Sequence, residues 1–177
     1  MKTERKKRKV INKQLPTPCS ITCGTDNPAS MGCSFYELEG GEVGTFFVPR
    51  EIHAGHNGIM HGGMSGAVLD ELMGRATLHR EVSDENSWTP TYVTAEMTVK
   101  YRKPISVGKK MYGYGRVDRV DGRCCFASSG IVDENDEIMA TANGVYVQVD
   151  LPEDQEPGYK EIDSNRAELT AEDPTML

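Results

Sequence analysis

A chain of 177 residues with 37% hydrophobic side chains can fill one moderate core and is short for two domains. Its formal charge of −7 makes a poor nucleic-acid surface, and no apolar run reaches membrane length. The basic start KTERKKRKV has no following apolar stretch, so no secretory signal is expected, and an odd count of five cysteines suits a reducing compartment, the cytoplasm.

The charge is unevenly placed. Residues 1–13 carry net +6, residues 151–177 carry net −6, and the stretch between them carries the remaining −7. Residues 1–18, basic and then blocked at Pro16 and Pro18, read as a disordered tail. Residues 151–177, acidic and holding three prolines, read as a second tail, with Tyr159 and Ile162 as residues that could dock. The tails' opposite charges would attract, but neither tail is expected to be needed for the fold. That leaves residues 19–150 as one domain.

Within it, Cys19, Cys23 and Cys33 come first. Three thiols could contribute to a zinc site, with His53 or His56 in reach, but paired CxxC units are lacking. Buried free thiols are the default, and no metal is expected. Residues 35–38 and 42–48 form a hairpin around Gly40-Gly41, which Pro49 ends. A loop with His53, Gly55, His56 and Gly58 leads into HNGIMHGGMSGAVLDELMGRATL. From about residue 63 to 79 its apolar positions recur at helical spacing. Gly66, Asp70 and Gly74 fall on one line of that helix, so the carboxylate has open space on both sides. A tight helix crossing with Asp70 at its edge would explain the same pattern.

After a polar connection over 81–90, whose Trp88 is read as core, four strands are expected: 91–101, 109–119, 124–132 and 138–149. In MYGYGRV one strand face is aromatic and polar while the other is tight. One long central helix wrapped by a curved, mostly antiparallel sheet is an α+β fold.

The stretch GHNGIMHGGMSGAVLDELMG resembles the PGxxHGGxxxxLLDExxG pattern of hotdog-fold thioesterases of the phenylacetate-degradation type. TPTYVTAEMTVKYRKPISVG is similar to that family's strand at Thr94, Tyr101, Pro104 and Gly108. CSITCGTDNPASMG is similar to the family's CxxCGxxNPxGL segment, with one extra residue after Cys19 and SMG in place of GL. The resemblance covers about residues 19–149. It implies a hotdog fold, a dimer with one continuous sheet, and two dimers in a tetramer. The implied substrate is an acyl-coenzyme A, so coenzyme A arrives with the substrate and no separate cofactor is needed. It also implies that the Gly62 amide holds the thioester carbonyl oxygen and that Asp70, from the opposite subunit, attacks or activates water. Thr94 would position that acid or its water. Relatives that only bind acyl-coenzyme A share the motif and give the runner-up reading; dehydratases share the fold.

The residues agree with that chemistry. Gly62 stands where the unpaired amides of a helix begin, and those amides and the helix dipole favour developing negative charge. Asp70, eight residues on, lies about 12 Å along the axis. One helix cannot bring both to a single carbonyl carbon; a second, antiparallel helix can. His61 either contacts substrate or braces the Gly62-Gly63 turn, and Gly63 is a candidate contact for coenzyme A. Asn57 is a second polar candidate. Some relatives carry a catalytic Asn six residues before the histidine, but that position is Gly55 here. Arg102 and Lys103 either meet coenzyme A phosphates or form a solvated strand end.

Overall fold

The computed structural model describes residues 7–79, 91–150 and 166–177. Trp88, Tyr159 and Ile162 lie outside these residues. The strands are β1 (Val10–Gln14), β2 (Ser34–Leu38), β3 (Glu42–Phe47), β4 (Ala54–His56), β5 (Ile59–Met60), β6 (Thr91–Tyr101), β7 (Met111–Asp121), β8 (Cys124–Val132), β9 (Ile138–Val149) and β10 (Arg166–Ala167); a short 3-10 helix covers Glu51–His53, and the α-helix α1 (Gly62–Leu78) lies between β5 and β6. Eight strands form one antiparallel sheet in the order β10-β1-β2-β3-β7-β8-β9-β6. β4 and β5 pair separately as a small hairpin.

The sheet packs around α1, as the sequence implied. Val68, Leu69, Leu72, Met73 and Ala76 of the helix are buried against Phe35, Val43, Phe47, Ile131 and Ala142 of the strands. The tight face of β7 explains how closely the layers approach. A Cβ at Gly115 would fall 2.5 Å from the Leu72 carbonyl oxygen, and one at Gly113 would fall 2.7 Å from the Leu72 side chain. The Ser129 hydroxyl of β8 donates to the Leu69 carbonyl at 2.9 Å, tying the sheet to the helix backbone. Cys23 and Cys33 are buried thiols of this core, and burial pushes the Cys33 thiol up to about 12.

The two tails differ from expectation. Residues 10–14, assigned to a disordered tail, are strand β1, pairing Val10 with Leu38 and Lys13 with Tyr36. Residues 166–177, assigned to the acidic tail, pair with β1 from its other side, through Lys13↔Ala167 and a bridge between Lys9 and Met176. Arg8 and Leu177 exchange two backbone hydrogen bonds, of 2.7 and 3.0 Å, and the Leu177 side chain packs with Val10, Tyr36 and Leu38. One ion pair joins the two tails, Lys13 Nζ to Asp173 at 2.7 Å, while Arg8 Nε meets Glu42 of β3 at 2.7 Å. Net charge and proline content describe average composition. They are blind to a β1 edge whose backbone groups a second strand can satisfy.

A buried carboxylate joins these elements. Glu37 of β2 is 2% exposed. It accepts from Asn12 Nδ2 at 2.9 Å, Gln14 Nε2 at 3.2 Å and Arg166 Nε at 2.9 Å, and the His79 ring at the end of α1 stands 3.4 Å away. Burial alone would raise its pKa; the nearby His79 ring and the Asn12, Arg166 and Gln14 donors outweigh that and hold it at about 2.

Candidate active site

The start of α1 is built from the loop before it. His61 is the N-cap, and its Nδ1 accepts the Gly63 amide at 2.9 Å. The ring therefore braces the turn, and in its neutral form the proton sits on Nε2. With Gly63 so engaged, no acceptor among the described residues reaches the amide of Gly62. Gly55 explains the missing asparagine: a Cβ there would fall 2.7 to 2.9 Å from three His61 atoms. The loop is held from below by His53, which is buried. Its Nδ1 accepts the Arg50 amide at 3.0 Å, its Nε2 lies 3.1 Å from the Ala29 carbonyl, and its own carbonyl accepts the His61 amide at 2.8 Å. His53 is thus a structural residue of the loop. Asn57 and His56 are exposed on the β4–β5 turn, and neither lines the cleft beside Gly62.

That cleft, about 280 Å³, is lined by Met60, Gly62, Ser65, Tyr101, Arg102 and Lys103, among others. It brings both basic candidates beside Gly62. Lys103 is ion-paired with Glu137, while Arg102 is exposed. Tyr101, quoted only as a motif position from the sequence, donates its hydroxyl to the Gly62 carbonyl at 3.0 Å and covers the glycine. A larger cavity of about 520 Å³ lies on the sheet face carrying Tyr112 and Tyr114, and none of Gly62, Asp70 or Thr94 lines it.

Asp70 stands two turns further along α1, half-buried. Its Oδ1 accepts from Thr94 Oγ1 of β6 at 2.8 Å and from the Tyr146 hydroxyl of β9 at 2.6 Å. Thr94 and Tyr146 are cross-strand partners in the sheet register, so both reach the helix at one level. Tyr146 was missed from the sequence. Its signal was Gly144, two residues before it and on the same strand face; a Cβ there would fall 2.9 Å from the Tyr146 ring. Glu71, next to Asp70, points away and pairs with Arg75 at 2.7 Å. Alanine would fit at Gly66 and Gly74, whose added Cβ atoms would lie 3.8 Å from the nearest side-chain atoms. Among the described residues no backbone crossing fills the space beside Asp70.

The curved sheet and the buried helix α1 packed against it have the arrangement of a hotdog fold. Residues 57–140 match the family model of the thioesterase superfamily. It is 25% identical over 118 residues to the acyl-coenzyme A thioesterase THEM4 of Xenopus laevis, an alignment covering 66% of this chain and 50% of that one. The chain thus spans about half the length of this relative. Among solved structures, it is similar to a thioesterase superfamily protein with a TM-score of 0.65 and 22% identity, over 75% of this chain and 61% of the other. It is also similar to the E. coli PaaI protein of the phenylacetic acid degradation operon, with a TM-score of 0.59 and 13% identity, over 68% of this chain and 81% of the other. No helix among the described residues is long and apolar enough to cross a membrane.

Proposed function

We propose that the chain is an acyl-coenzyme A thioesterase working in a reducing compartment such as the cytoplasm, as a homodimer or a pair of homodimers. The observation that carries the reading is a carboxylate fixed by Thr94, on the same helix as the open Gly62 amide but about 12 Å from it. Edge strand β6 supports the dimer. It is 11 residues long, mostly exposed, and paired only with β9 among the described residues. Such an edge is a template for a second strand. Antiparallel pairing of two copies along β6 would set two α1 helices side by side and bring Asp70 of one subunit toward Gly62 of the other.

In that arrangement the thioester carbonyl oxygen receives the Gly62 amide, whose donor and helix dipole stabilise the developing oxyanion. Asp70 either adds to the carbonyl carbon, giving an anhydride that water opens, or takes a proton from an attacking water. On both routes the carbon–sulfur bond breaks and coenzyme A leaves as a thiolate, which then takes up a proton. Arg102 and Lys103 at the cleft mouth suit the coenzyme's phosphates. The binding-only alternative is favoured by Gly55, which supplies no side-chain amide to polarise the carbonyl.

Hydrolysis of short, aromatic and long acyl-coenzyme A thioesters, beside calorimetric binding of an unreactive thioether analogue, tests the reading. Turnover is expected for at least one class. Tight analogue binding without any turnover would select the binding protein. Light scattering should give a mass at least twice the 19.5 kDa of one chain. A monomer with full activity would defeat the intersubunit site.

A further inference from the structure

We propose that Tyr146 is a positioning residue for Asp70, holding Oδ1 so that Oδ2 is the oxygen presented for reaction. This rests on the thioesterase reading of the same site. Both protein donors converge on one oxygen, Thr94 at 2.8 Å and Tyr146 at 2.6 Å. Among the described residues no donor reaches Oδ2. The phenol has one proton and two acceptors nearby, Oδ1 at 2.6 Å and the Asp70 carbonyl at 2.9 Å. The nearer acceptor is the charged one and takes it. Tyr146 is 2% exposed, with its ring beside Gly144 and Gly74, so its hydroxyl has little freedom to leave. Burial, followed by the hydrogen bond and the charge of Asp70, pushes the phenol well above its ordinary pKa. It stays a donor at any working pH.

The carboxylate cannot rotate about its χ2 without giving up two hydrogen bonds, so the reactive oxygen is oriented before substrate arrives. The charged groups next to the site on α1 are Glu71 and Arg75, which pair with each other. Thr94 on β6 and Tyr146 on β9 are the groups that touch the carboxylate itself.

Tyr146→Phe keeps the ring and removes only the hydroxyl. With the full-length chain, kcat should fall about 10-fold for loss of one charge-assisted hydrogen bond, with KM little changed. A second readout does not need turnover. In protein carrying 13C-carboxyl aspartate, the carboxyl resonance that Asp70→Asn deletes should change position at neutral pH in Tyr146→Phe and in Thr94→Val, and change further in the double variant, because each substitution removes one donor to Oδ1. An Asp70 resonance that stays in place in folded Tyr146→Phe overturns the proposal, as does an unchanged kcat. A moved resonance in a protein that hydrolyses no thioester upholds the coupling and overturns the enzymatic reading instead.

Discussion

Asp70→Asn is expected to lower kcat by about 10²- to 10⁴-fold while the affinity for an unreactive acyl-coenzyme A analogue changes little or tightens. The substitution retains shape and an Oδ1 acceptor, so the Thr94 and Tyr146 hydrogen bonds, at 2.8 and 2.6 Å, have a partner to keep. What is lost is the anion, and with it either the nucleophile or the base. The structural alternative makes the opposite forecast. If Asp70 served only the seating of α1 on the sheet, the variant would melt earlier and its folded fraction would turn over normally. The packing speaks for the first outcome, because among the described residues no backbone crosses close to Gly66 or Gly74 beside Asp70. Steady-state hydrolysis over the same thioester panel, read against the melting curve, separates the two. A near-wild-type kcat on the best substrate would remove Asp70 from the chemistry.

How far the site could be read from the sequence depends on how local its causes are. The α1 helix is set by apolar spacing and by His61 as a cap, and it appears within a residue of the expected bounds. β6, β8 and β9 match the expected strands because turn residues bracket them, and Gly113 and Gly115 mark the face that meets α1. Asp70 and Thr94, 24 residues apart, were paired through the motif resemblance, and the hydrogen bond between them is a property of the fold. Tyr146 is a further 52 positions on, and nothing in its own strand distinguishes it apart from Gly144. Asn57 precedes the HGG turn in sequence, and the β4–β5 hairpin carries it to an exposed tip outside the cleft beside Gly62. β1 and β10 escaped because their pairing joins residues more than 150 positions apart. No window of local composition contains that information.

Those same termini set the largest stability effect expected. Glu37→Ala should cost about 3–5 kcal/mol, the usual loss when one member of a buried charged network is removed and its partners are stranded. For a chain of this size that is a fall in Tm of about 6–20 °C. The effect is large because one carboxylate gathers donors from separate elements, Asn12 and Gln14 from β1 and Arg166 from β10, and lies 3.4 Å from the His79 ring at the end of α1. Glu37→Gln, which keeps an acceptor but no charge, should fall between the two. The pH dependence has a defined sign. The folded-state pKa of Glu37, about 2, lies below the ordinary value of 4.5, so the fold favours the ionised form. Its contribution is complete above pH 4.5 and drains away as the pH falls toward 2. Asp173 acts in the same direction: Lys13, the Thr170 amide and Tyr36 hold it well below the usual carboxylate range. Wild-type stability should therefore drop across that acid window, and Glu37→Ala should flatten the drop without abolishing it. Thermal unfolding followed by circular dichroism at neutral pH and through the window measures both. A Tm within 2 °C of wild type at neutral pH, the shift expected for well under 1 kcal/mol, would mean that β1 and β10 are held by their backbone pairing alone.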